Sequence, residues 1–238
     1  MTGFRKLVVV QAFSLAVLVV VAQQLGCNRG AEKPAASIGA TDTSSSPADA
    51  ESSTSPTTAP AAAQKKPAVD PVVLVRTDAG DIKIQLFAEK APQTVDNFLR
   101  NYVQRGFYAG TLIHHVDPSS MIVAGGFGAD LQPKETRAEI FNESANAISN
   151  VRGTVAMARD AETPHSATSQ FFFNLVDNTS FDYQNTDEEE VFGYCVFGKV
   201  IEGMDVVDRI AAAPVAQQGD FSNMPTPAIT IQSIERVR

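Results

Sequence analysis

GFYAGTLIHHVDPSSMIVAGGF, residues 106–127, is the stretch whose reading decides the fold. Two short runs rich in β-branched and apolar residues, 111–116 and 121–124, are separated by Asp117-Pro118 and closed by Gly110 on one side and Gly125-Gly126 on the other. Runs of this length, bounded by residues with turn chemistry, read as strands. Working outward, the pattern recurs at 72–76, 82–87, 154–158, 170–176 and 194–201, and a closing alternation occupies 228–237. The first two flank Thr77-Asp78-Ala79-Gly80-Asp81, whose Gly and Asp supply a hairpin turn.

Two segments break the β rhythm. Residues 91–105 place Val95, Phe98, Leu99, Tyr102 and Val103 at helical spacing, with Pro92 suited to a first turn and Gly106 just past the end. Residues 204–212 place Val206, Val207 and Ile210 on one side of a second helix. About eight strands and two helices predict a mainly β fold, an antiparallel barrel capped by two α-helices. The folded part is expected to span residues 70–238, the size of a single domain.

The rest of the chain separates by composition. Arg5 and Lys6 precede an apolar run from Leu7 to Ala22, followed by Leu25-Gly26-Cys27, the layout of a secretory signal over residues 1–26. A Cys after a small residue resembles the lipobox of bacterial lipoproteins, with Cys27 as the lipidated N-terminus, although Gln24 stands where a Leu-like residue is usual. An uncleaved anchor and an unlipidated secreted product are the alternatives, and the run is shorter than the roughly 20 apolar residues of a span. All three readings export the domain to the periplasm or cell envelope. Residues 28–69, rich in Ala, Ser, Thr and Pro, contain almost no large apolar side chain and are expected to form a disordered tether. A net charge of -8, with no clustered basic stretch, argues against nucleic acid as a partner. The second cysteine, Cys195, lies in an apolar run and reads as a buried, inert thiol, so no structural disulfide is expected.

Read together with PHSATSQFFFN at 164–174, the opening stretch resembles the two signature stretches of the cyclophilins, the peptidyl-prolyl isomerases. The resemblance extends over 72–238 through Val95-Asp96-Asn97-Phe98, Arg152-Gly153-Thr154, Phe197-Gly198-Lys199-Val200 and Gly203-Met204-Asp205-Val206-Val207-Asp208. It implies the cyclophilin architecture, a closed eight-stranded antiparallel β-barrel capped by two α-helices. It also implies isomerisation of X-Pro bonds in proline-containing segments of exported proteins, with no cofactor and no metal, by a protein expected to be monomeric.

Rotating an X-Pro amide means losing resonance across a barrier of roughly 18–20 kcal/mol. A catalyst needs an apolar pocket for the proline ring, contacts for the flanking backbone, and a donor aimed at the proline nitrogen. By the resemblance, His114, Met121, Ala158, Arg159, Gln170, Phe172, Phe181 and Tyr194 line the substrate groove. In the family's first signature an Arg follows the His, an aromatic Phe precedes the Met, and a Gln lies two residues beyond it. Here His115, Ser120 and Val123 occupy those positions, and Ser180 stands where an aromatic is usual. His115 is left as the catalytic donor. A His near pKa 6.5 is mostly neutral at pH 7, whereas Arg holds a permanent charge and a rigid fork of donors. Loss of one transition-state donor costs about 2.7–4 kcal/mol, so weakened catalysis is expected.

Two other readings compete with the enzyme. One is a proline-peptide-binding or chaperone module that kept the groove and lost the catalyst. The other treats His114, His115 and His165 as metal ligands, which strand alternation disfavours because neighbours on a strand face opposite sides. The residues 187–190 read as an acidic, solvated insertion.

Overall fold

The computed structural model describes residues 70–184 and 192–237. The expected signal and lipid-acceptor residues 1–27, the tether at 28–69 and the acidic insertion at 187–190 lie outside the described residues. The strands are β1 Val72–Thr77, β2 Gly80–Leu86, β3 Thr111–Val116, β4 Met121–Gly128, β5 Thr154–Met157, β6 Phe171–Asn174, β7 Val196–Glu202, β8 Val215–Gln218, β9 Phe221–Pro225 and β10 Thr230–Val237. Eight of them close into a barrel in the order β1-β10-β3-β4-β6-β5-β7-β2. All of its neighbouring strands run antiparallel.

Strand alternation explains why the barrel closes with a filled interior. Val73 and Val75 on β1 and Ile82, Ile84 and Leu86 on β2 point into the core, each at most 1% exposed. The turn between these strands is held by Thr77, whose hydroxyl donates to the Gly80 carbonyl and accepts from the Ala79 N–H. At one end of the barrel Phe98 packs against the rings of Tyr108, Phe171 and Phe197 at 5.2–5.7 Å between centroids. Truncating so enclosed a ring to alanine costs about 3–5 kcal/mol.

Phe98 belongs to the helical segment expected at 91–105. The segment is helical, but not uniformly so: α1 Pro92–Asp96 passes into a π-helical stretch, Asn97–Tyr102, and ends in a 3₁₀ turn, Val103–Arg105. The wide turn accompanies a diversion of Asn97, whose amide donates to the Thr168 carbonyl and whose oxygen accepts from Asn101. It still buries Phe98, Leu99, Tyr102 and Val103. The Glu143 carboxylate accepts from the Gln93 and Thr94 N–H groups at the start of α1, where negative charge is favoured. The second helix, α2 Met204–Ala211, buries Val206, Val207 and Ile210 as its spacing predicted.

One element was not legible beforehand. β8 and β9 pair as a separate two-stranded hairpin. β8 is Val-Ala-Gln-Gln and largely exposed, so it has neither alternation nor apolar content to announce it. Its partner β9 brings Phe221 against His114 of β3.

Candidate functional site

Five consecutive barrel strands, β3, β4, β6, β5 and β7, set one side chain each in a single cross-strand row. His115 is opposite Val123, Val123 opposite Phe172, Phe172 opposite Ala156, and Ala156 opposite Val196. Directly opposed residues share a face, and this face is not the barrel interior. Phe171 and Phe173 turn into the main core, while Phe172 between them joins Ala156 and Val196 in a separate apolar cluster. Met121, Val123, Ala158, Phe181 and Tyr194 pack against that cluster and are only partly buried.

The cluster forms an aromatic cup. Phe172 lies edge-on to Phe181 at 6.0 Å and to Tyr194 at 5.5 Å, and those two rings meet at 5.2 Å. Offset and edge-to-face pairs of this kind favour a fixed arrangement over a collapsed one. A fixed apolar cup with a half-buried imidazole at the end of its floor row can grip an apolar ring and present one N–H to it.

The imidazole is placed by a β-bulge. Ile113 pairs with Ala124 and His115 with the adjacent Val123, so β3 has one residue more than β4, namely His114. Simple alternation therefore does not govern the two histidines, although they do part, as alternation led us to expect. They part for another reason. His114 packs at 4.8 Å from Phe127 and 5.6 Å from Phe221, and these two rings also meet edge to face at 4.7 Å. His115 is instead held beside Val123.

Burial affects both titrations. It pushes the His114 imidazole down to about 4. Its Nδ1 is buried without a hydrogen-bond partner among the described residues. Burial also lowers the His115 pKa from 6.5, with the negative charge of Asp117 acting in the other direction. His115 is therefore a neutral donor at pH 7. Among the described residues no three His, Cys, Asp or Glu side chains are placed to share a metal ion. His165 is stacked on Phe141 at 4.2 Å, and its Nδ1 accepts from the Asn142 N–H.

The walls of the cup are braced from behind. Arg159, named from the sequence as a groove residue, is 7% exposed. Its guanidinium donates to the carbonyls of Gly193, Asp160 and Ala161 and lies 4.8 Å over the Tyr194 ring. Gly193 has φ of +85°, and a Cβ there would lie 2.6 Å from the Tyr183 nitrogen, so only glycine lets the chain turn into Tyr194. The Gln170 backbone carbonyl accepts from the Ala158 N–H, and its side chain lies across Gly126, where a Cβ would come within 2.6 Å of Cδ.

A chain of three asparagines, Asn150 and Asn174 buried and Asn178 partly so, ties both walls together. Asn150 donates to the carbonyls of Phe181 and Tyr194 and to Asp182, and it accepts from Asn174. Asn178 donates to Asn174 and to the Ser120 carbonyl beside Met121. The sequence reading named Met121, Ala158, Gln170, Phe172, Phe181 and Tyr194, and all of these but Gln170 lie in that apolar cluster or pack against it. It missed Ala156, Val196 and the three asparagines, because their part depends on which strands are neighbours, and no local pattern reports that.

Comparison with known proteins agrees with this geometry. The family described as "Cyclophilin type peptidyl-prolyl cis-trans isomerase/CLD" matches residues 72–236. Peptidyl-prolyl cis-trans isomerase A of Dickeya dadantii is 44% identical over 166 residues, covering 70% of this chain and 84% of the relative. Peptidyl-prolyl cis-trans isomerase B of Escherichia coli is 44% identical over 165 residues, covering 68% of this chain and 98% of the relative. Among solved structures, a Cryptosporidium parvum cyclophilin type peptidyl-prolyl cis-trans isomerase superposes with a TM-score of 0.58 at 23% identity, covering 71% of this chain and 98% of that one.

Proposed function

Because the chain belongs to the cyclophilin-type peptidyl-prolyl cis-trans isomerase family, we propose that it acts on proline-containing segments of exported proteins, from the cell envelope, at a reduced rate. The observation that carries the reading is the cross-strand row from His115 to Val196, with the Phe172, Phe181 and Tyr194 cup upon it. The cup takes the proline ring. Met121 and Ala158 flank it, and Gln170 lies against Gly126 beside it. Arg159 acts through Tyr194 and the 193 carbonyl as a positioning residue.

The reduced rate follows from the donors. As the amide twists, the proline nitrogen recovers its lone pair, and a donor aimed at it lowers the barrier. His115 can offer one neutral N–H, whereas a guanidinium at that place would offer a charge and a fork. Val123, next to it in the row, adds an apolar surface and no amide. Ser120 supplies no aromatic wall, and its hydroxyl lies 3.5 Å from the Asn178 oxygen.

Exchange spectroscopy on a short proline peptide tests this. The full chain is expected to bind the peptide and to speed its cis-trans exchange measurably above buffer, and Phe172→Ala is expected to abolish both. Binding without any acceleration would replace the reading with that of a proline-peptide-binding module. Acceleration that survives Phe172→Ala would move the site elsewhere.

A further inference from the structure

The end of the first helical segment and the stretch after β4 enclose a second cavity, of about 500 Å³, lined by Asn101, Tyr102, Arg105, Phe107, Lys134 and Arg137 among others. That volume is within the range of small-molecule sites. It shares no lining residue with the aromatic cup.

Its two rims are fastened to each other. The Arg137 N–H donates to the Tyr102 hydroxyl at 3.1 Å. The Lys134 N–H donates to the Gly126 carbonyl at 2.9 Å, and its ammonium donates to the Phe107 carbonyl and stands 4.7 Å over the Phe107 ring. Tyr102 and Phe107 pack edge to face at 4.8 Å. The cations are thus mounted on a rigid frame.

Most other arginines among the described residues are already bonded. Arg76, Arg100, Arg152 and Arg209 each lie against a carboxylate. Arg105 and Arg137 are exposed at the cavity, and neither guanidinium has an ion-pair or hydrogen-bond partner among the described residues. Lys134 adds a third positive charge that its two carbonyl partners do not neutralise. Glu135 is the acidic member of the lining, so cations outnumber acids there in a chain whose net charge is -8.

We propose that this cavity is a binding site for a phosphate monoester, gripped by Arg105 and Arg137 with Lys134 adding charge. A phosphate monoester is close to a dianion at pH 7 and presents three acceptor oxygens. Guanidinium forks match those oxygens in bidentate fashion. The Thr136 hydroxyl is a further donor in the lining, and the Phe107 ring offers an apolar face to the carbon part of the ester.

Calorimetric titration of the full chain with glycerol 3-phosphate tests the site, with glycerol as the neutral control. Saturable binding, with Kd in the millimolar range or tighter, is expected, and it should weaken as salt is raised. The double substitution Arg105→Gln with Arg137→Gln should raise Kd at least tenfold at an unchanged melting temperature. No saturation by about 10 mM ester, or an unchanged Kd in the double variant, would overturn the proposal. If the variant melts early, the Tyr102 and Phe107 ring signals of the unsubstituted chain decide instead. They must shift on titration, and fixed signals overturn the site. Phosphatidylcholine vesicles with and without phosphatidic acid identify the source. Binding that requires phosphatidic acid and is lost in the double variant assigns a lipid headgroup, and response to the soluble ester alone assigns a soluble one.

Discussion

His114 and His115 are adjacent copies of one side chain whose environments give them different work. His114 is enclosed by Phe127 and Phe221 and stays neutral down to about pH 4. Its folded pKa is below the 6.5 of an exposed imidazole, so the unfolded chain takes up the proton first. The stability that depends on its neutrality is therefore intact above pH 6.5 and is lost as pH falls from 6.5 towards 4. The difference corresponds to roughly 3 kcal/mol. Urea unfolding midpoints at about pH 7 and pH 4.5 should fall much less for His114→Phe than for the unsubstituted chain. An equal fall in both would remove His114 from the account. That these two histidines stand in the first signature stretch was legible in the sequence through the family resemblance. Their separation was expected from strand alternation, but its setting was not legible, because it includes a bulge that is visible only when Ile113 and His115 are seen to pair with the neighbouring residues Ala124 and Val123.

At the scale of elements, the groove is a property of strand order. β4, β6 and β5 present Val123, Phe172 and Ala156 in one row because each strand is hydrogen-bonded to the next. The strands were individually legible from their apolar runs, and the β8–β9 hairpin was not, since Val215–Gln218 is exposed and half amide. The walls depend on Asn150, which is fully buried and reaches the carbonyls of both Phe181 and Tyr194. Asn150→Ala would remove the side-chain donor from the Tyr194 carbonyl and one of two donors from the Phe181 carbonyl, and the expected cost is about 1–3 kcal/mol of stability. It should also weaken proline-peptide binding, because Phe181 and Tyr194 lose their common tether. Denaturant midpoints and peptide Kd measured together check this. A normal midpoint with normal affinity would show that the asparagine chain does not set the walls.

At the scale of the whole molecule, the chain divides into a barrel with a chemical site and an N-terminal region whose role rests on composition. The apolar run ending in Leu25-Gly26-Cys27 and the Ala-, Ser-, Thr- and Pro-rich residues 28–69 are the basis of the proposed export and anchoring. Fatty-acid labelling of cells expressing the full chain should mark the protein, and Cys27→Ser should remove the label. Unlabelled protein of full precursor length would favour an uncleaved anchor instead. Within the barrel, the cup of Phe172, Phe181 and Tyr194 is the proposed seat of a proline ring, and the neutral His115 at the end of its floor row is the proposed cause of a reduced rate. The most direct test is the catalysed cis-trans exchange of one proline peptide by the unsubstituted chain and by His115→Arg. The account predicts a gain of about 10²-fold for His115→Arg, the worth of one transition-state donor, with little change in peptide affinity. Equal rates for the two proteins, with the peptide bound to both, would contradict it.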